Sequence, residues 1–132
     1  MKPLTQVEAE AIQHTAYRTV AALAKNTSIP YCRAILQKII DANPAFGLET
    51  DSFSTLSYLI ELRYKTSEKI LRERGYQQVI ELGAGLTPHA LNLQPFVTNY
   101  LEVDLEKNSL LKQAIVQEIE PNLKVHYVAG DV

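Results

Sequence analysis

The sequence predicts an α/β fold in which a helical segment, residues 1–75, precedes a parallel β-sheet carried by residues 76–132. Three observations predict it. Apolar residues recur at helical intervals up to about residue 75. From residue 77 the period shortens, and three short, strand-like runs alternate with two helical stretches, as in βαβ units. The first of those runs ends directly in a glycine-rich turn.

The elements follow in order. Thr5 and Glu8 have capping-box spacing, and Val7, Ile12, Ala16, Val20 and Leu23 then recur as one face of a helix that fades near Asn26. Ser28-Ile29-Pro30 signals a second start with proline early in the helix, followed by the stripe Cys32, Ile35, Leu36, Ile39 and Ile40. Asn43-Pro44 and Gly47 place a loop over 42–50. Asp51 or Ser52 caps a third helix, whose apolar residues are Leu56, Leu59, Ile60, Ile70 and Leu71 and whose C-terminal cap is Gly75. Strands are expected at 78–82, 100–104 and 125–128. Between them a short helix opens at Thr87-Pro88, and a longer one runs from about Asn108 to Ile119.

Composition limits the function classes. Thirteen Lys and Arg against fifteen Asp and Glu leave a formal net charge of −2 over 132 residues. No basic excess is available to neutralise phosphates, so no nucleic-acid partner is expected. No apolar run approaches the length of a membrane span, and the first residues lack a signal core, so no membrane association is expected. The single cysteine, Cys32, excludes an internal disulfide and a CxxC metal site, which suits a reducing, cytoplasmic setting. Cys32 lies on an apolar stripe and reads as core. His14, His89 and His126 share no metal-ligand spacing, so no metal site is expected. His89 alone stands in the first turn after the glycines.

The chemistry lies in VIELGAGLTPHAL, residues 79–91. Gly83 permits a tight turn, and Gly85 removes a side chain where a ligand approaches the backbone. Asp104 stands 21 residues after Gly83, at the end of the second strand, where a carboxylate can accept hydrogen bonds from ribose hydroxyls. A dinucleotide fingerprint wants a third glycine, but Pro88 occupies that place and has no N–H. Glu81, just before the first glycine, repels a pyrophosphate and attracts an ammonium group. A ligand with adenosine at one end and an ammonium at the other fits these residues. S-adenosylmethionine (SAM) answers that description, and an NAD-type module is the less favoured alternative.

These residues resemble the class I SAM-dependent methyltransferases, a Rossmann-like family. ELGAGLTP matches the first motif, LEVDLE the acidic end of the second strand, and VAGDV the end of the third. The combination is most similar to the leucine carboxyl methyltransferase and polyketide-type O-methyltransferase family, which also carries a helical N-terminal extension. The resemblance covers residues 63–132 well and 1–62 loosely. It implies that Gly83, Ala84 and Gly85 line the methionine part of SAM, with Glu81 reaching its amino group. It further implies that Asp104 binds the ribose, that Asp131 accepts from the adenine amino group, and that the Val132 N–H lies beside the ring. Arg63, or alternatively Lys65, would pair with the SAM carboxylate. Where relatives continue the loop with an Asp-Thr-Arg-like run, this chain has Thr87-Pro88-His89.

Only the first three strands of such a sheet are expected here, so the catalytic groups and the wall opposite the glycine loop are expected to lie outside this sequence. The acceptor class implied is a small molecule with a carboxylate or hydroxyl. A non-catalytic SAM-binding or scaffold module, completed by a partner chain, is the alternative. The first strand reads as apolar and buried through Val79, Ile80 and Leu82, so a homodimer or a complementing chain is expected to cover its free edge.

Overall fold

The computed structural model describes residues 6–44 and 54–130. The order is α1 (Gln6–Asn26), α2 (Cys32–Ala42), α3 (Ser54–Arg74), β1 (Gln78–Leu82), α4 (His89–Leu93), β2 (Asn99–Asp104), α5 (Glu106–Ile119) and β3 (Val125–Ala129). The strands form one parallel sheet in the order β1-β2-β3. The fold is therefore α/β, with a three-stranded open parallel sheet and helices.

Local chemistry explains most boundaries. Gly75 adopts φ +67°, its N–H donates to the Arg72 carbonyl, and the Tyr76 N–H reaches back to Leu71. That pair of bonds is the Schellman closure expected of a C-terminal glycine. The second helix begins later than the Ser28-Ile29-Pro30 signal suggests. Tyr31 takes a left-handed φ of 67° and turns the chain, so Pro30 lies in the preceding turn and Cys32 is the first helical residue. The long crossover helix starts at Glu106, two residues before the expected Asn108. The expected Thr5, Asp51 and Ser52 caps lie outside the described residues.

Helices α1, α2, α4 and α5 share one core cluster, and the sheet packs on α4 through another, of Ala90, Leu93 and Tyr100. Val20 of α1, Ile35 and Ile39 of α2, Leu86 and Leu91 around α4, and Ile115 and Val116 of α5 form a single buried cluster. Each such side chain contributes on the order of 1.5–3 kcal/mol by burial. Cys32 is fully buried in a second cluster with Leu23, Ile29 and Tyr64, and burial pushes its thiol up to about 12. It is a core residue without thiolate character.

Two expectations about burial fail, each for a physical reason. The inward face of α3 does not carry Leu59 or Ile70, which are 63% and 49% exposed. Ile60 and Leu71 do pack inward, partly buried, but the buried residues of this helix are Ser57, Tyr64 and Glu68, spaced at helical intervals but polar, so hydropathy does not mark them. Likewise β1 is an edge strand, and Ile80 and Leu82 are 69% and 65% exposed. Among the described residues, the helices pack on one face of the sheet. That face carries the rows Val79–Tyr100–Val125 and Glu81–Glu102–Tyr127. The opposite face carries Ile80–Leu101–His126 and Leu82–Val103–Val128, with Ile80, Leu82 and Val128 open to solvent.

Candidate ligand-binding site

A cavity of about 570 Å³ opens at the C-terminal ends of β1 and β2. The volume lies within the range of small-molecule sites, and the carboxyl ends of parallel strands are where such folds bind ligands. One wall is the glycine loop, residues 83–87, with Asp104, Leu105, Asn108 and Gly130 beside it. The facing wall comes from the helical segment, with Thr15, Ala16 and Thr19 of α1 and Ile60, Arg63, Tyr64 and Ser67 of α3. The expectation that the loop lacks an opposite wall is thus corrected: the N-terminal helices supply it.

The loop is set by backbone geometry. Gly83 and Gly85 take φ +65° and +53°, values that a side-chain-bearing residue adopts only with strain. The N–H groups of Gly83 and Ala84 donate to the Val103 carbonyl at 2.8 and 3.3 Å, which ties the turn to β2. A side chain at Gly85 would point at Ala16, whose Cβ lies 3.6 Å from the position a Cβ would take. That distance is an ordinary contact, so glycine at 85 is required by the positive φ of the turn and not by the packing of α1. The side chain of Ala84 is buried. The helix after the loop, α4, has only five residues and begins at His89, with Pro88 as its cap.

Asp104 is the most constrained group in the cavity. Its side chain is nearly buried, and three donors reach it. The Gly85 N–H donates to Oδ2 at 2.6 Å, and the Leu105 N–H and Asn108 Nδ2 donate to Oδ1, each at 2.7 Å. A carboxylate offers about four lone-pair sites. Three are taken by the protein, and the fourth is on Oδ2.

Glu81 sits in a second polar group. Tyr100 donates its hydroxyl to Glu81 Oε2 at 2.8 Å. The His89 ring stacks on Tyr64 with centroids 3.6 Å apart. The two nitrogens of His89 lie 3.5 Å from Glu68 Oε1 and 3.9 Å from Glu81 Oε1. Glu68 Oε1 is buried and has no hydrogen-bond partner among the described residues. Burial, reinforced by Glu68, raises the Tyr64 hydroxyl well above the usual phenol range, and burial with Glu81 does the same for Tyr100. Both phenols therefore remain donors at neutral pH and do not act as bases.

The residues picked from sequence thus divide. Arg63, Glu81, Gly83, Ala84, Gly85 and Asp104 all line the one cavity. Lys65, the alternative to Arg63, turns away and pairs with Glu61 at 2.5 Å. Asp131 and Val132 lie outside the described residues, although Gly130 reaches the cavity and donates its N–H to the Asp104 carbonyl. Sequence reasoning gave no site role to Tyr64, Glu68, Tyr100 or Asn108. A signal was available for Asn108, because Asp104 and Asn108 stand four apart across a helix start. Among the described residues, no group of three or more His, Cys, Asp and Glu is placed to hold a metal ion. No described helix is long and apolar enough to cross a membrane. In comparisons with protein-family models, curated proteins and solved structures, no match is found.

Proposed function

We propose that this chain binds SAM in the cavity at the strand ends, through a Rossmann-like arrangement, as part of an O-methyltransferase. The observation that carries the reading is the convergence of Glu81, Asp104, Arg63 and a glycine loop with two positive-φ residues on one cavity of about 570 Å³. The donor set fits the ligand. Asp104 Oδ2 keeps one lone-pair site for a ribose hydroxyl, Glu81 supplies an acceptor for an ammonium, and Arg63 offers a guanidinium for a carboxylate. Bound SAM supplies an electrophilic methyl group on a cationic sulfur. The residues of this chain orient it and screen it from water, and the contribution to rate is mainly positioning. The acceptor class is a small molecule with a hydroxyl or carboxylate oxygen. Nucleic acid is disfavoured by the net charge of −2, and the lone buried Cys32 suits the cytoplasm.

Calorimetric titration tests this directly. SAM or its demethylated product is expected to bind, and NAD to bind at least tenfold more weakly, because Glu81 faces the cavity where a pyrophosphate would bring negative charge. Equal binding of the two, or binding of NAD alone, overturns the reading in favour of a nucleotide module of another class.

A second reading, a SAM-binding module completed by a partner, is favoured by the sheet itself. The outer edge of β1 has no strand beside it among the described residues, and Ile80, Leu82 and Val128 are exposed on the bare face. An open apolar edge is a pairing surface. We expect the chain to form a dimer or larger species in sedimentation, and Ile80→Lys to shift it toward monomer. A wild-type monomer with a steep cooperative melt removes the need for a covering chain.

A further inference from the structure

We propose that Asn108 is the positioning residue of the site: it fixes the Asp104 carboxylate so that Oδ2 alone is left to take a ligand hydroxyl. The inference rests on the reading of a ribose-bearing ligand given above, and it names which part of the ribose is recognised. Asn108 is 1% exposed, and its Nδ2 donates to Asp104 Oδ1 at 2.7 Å. The amide orientation follows from chemistry, because a flipped amide would set its own oxygen against a carboxylate oxygen. The Leu105 N–H takes the second site on Oδ1, also at 2.7 Å. Oδ1 is then full. Oδ2 accepts only the Gly85 N–H and has one site open.

The same amide is kept at a cost. Asn108 Oδ1 is buried without a hydrogen-bond partner among the described residues. A buried amide that uses only half of its capacity is a poor stabiliser of a core. What it does accomplish is to pin one carboxylate oxygen from the first turn of α5, while the glycine loop pins the other. With the carboxylate unable to rotate, a vicinal diol meets one free acceptor site and not two. The site therefore discriminates between the two ribose hydroxyls: one is bonded by Oδ2, and the other is not bonded by Asp104.

The test uses S-adenosylhomocysteine and its 2′-deoxy and 3′-deoxy analogues in calorimetric titration. In the wild-type protein one deoxy analogue is expected to bind at least tenfold more weakly than the parent, and the other within about threefold, since one charge-assisted hydrogen bond is lost in only one of them. In Asn108→Leu, with Asn108→Ser as the smaller replacement, the two analogues are expected to converge to within about threefold of each other. Equal loss for both analogues in the wild type overturns the inference, as does discrimination that survives in both Asn108 variants. A ligand-free measurement separates this outcome from failure of the SAM reading. Hydrogen exchange of the Gly85 amide is expected to speed up at least tenfold in the Asn108 variants, while amides in α2 and β2 exchange as before. If S-adenosylhomocysteine does not bind the wild type, the SAM reading fails and the assignment of the open Oδ2 site to a ribose hydroxyl fails with it. The Gly85 exchange rate then decides whether Asn108 positions Asp104 at all, and an unchanged rate overturns that role.

Discussion

Lys112→Met is expected to cost about 3–5 kcal/mol of unfolding stability near pH 8. Lys112 and Glu102 are each 2% exposed, and Lys112 Nζ lies 2.7 Å from Glu102 Oε2. The approach is ionic and off the hydrogen-bond direction, and Glu102 Oε1 has no partner among the described residues. Desolvation raises the Glu102 carboxyl from 4.5 to about 7, against the attraction of Lys112 and with some help from Glu81. Between those two values the folded chain holds more proton than the unfolded one. This group's contribution to stability therefore falls as pH rises through that window. Removing Lys112 leaves the carboxylate buried and uncompensated, so its pKa climbs further and the deficit is largest at high pH. Urea denaturation of wild type and Lys112→Met near pH 5 and near pH 8 checks the sign: the gap between them should be several-fold wider at the higher pH. The double variant Glu102→Leu/Lys112→Met should recover most of the loss, because two apolar side chains need no partner. A gap that does not change with pH, or a double variant no better than the single, shows that the pair is not electrostatically coupled as described.

That pair also shows where sequence reading stops. Glu102 and Lys112 belong to LEVDLE and to an ordinary charged helix, and charge in a sequence normally means solvent. The strand positions, the glycine turn and the Gly75 cap were legible because each follows from local chemistry: short β-branched runs, a positive φ, a closing pair of hydrogen bonds. The inner face of α3 was legible only in part. Ile60 and Leu71 do pack inward, but the buried Ser57, Tyr64 and Glu68 keep the helical spacing while being polar, and the apolar Leu59 and Leu62 are exposed. The exposure of Ile80 and Leu82 was hidden for the opposite reason. A run of β-branched and leucine residues reads as two-sided burial, and only the sheet order reveals that helices cover one face. The cavity was half legible. Glu81, Gly83 and Gly85 stand close together in one motif and Asp104 ends the next strand, but the wall from α1 and α3 depends on how distant helices pack, which local pattern does not encode.

Asp104 should separate the architecture of the site from its binding chemistry. Asp104→Ala removes the acceptor for the Gly85 N–H, the Leu105 N–H and Asn108 Nδ2 at once. Leaving a buried donor unsatisfied costs roughly 1–3 kcal/mol, so a stability loss of about 2–5 kcal/mol is expected, together with loss of SAM binding. Asp104→Asn is the sharper change. With its oxygen turned toward Leu105 and Asn108, the new amide keeps the two bonds made at Oδ1. Its nitrogen then faces the Gly85 N–H, donor against donor, and offers a ribose hydroxyl no acceptor. Its stability loss should therefore be less than half that of the alanine variant, while SAM affinity falls at least tenfold. Chemical denaturation and calorimetric titration on the two variants give both numbers. If Asp104→Asn binds SAM within threefold of wild type, the carboxylate serves only to hold the loop, and the ligand takes its ribose contacts elsewhere. If Asp104→Ala is as stable as wild type, the three short bonds that define this end of the cavity do not hold it in place.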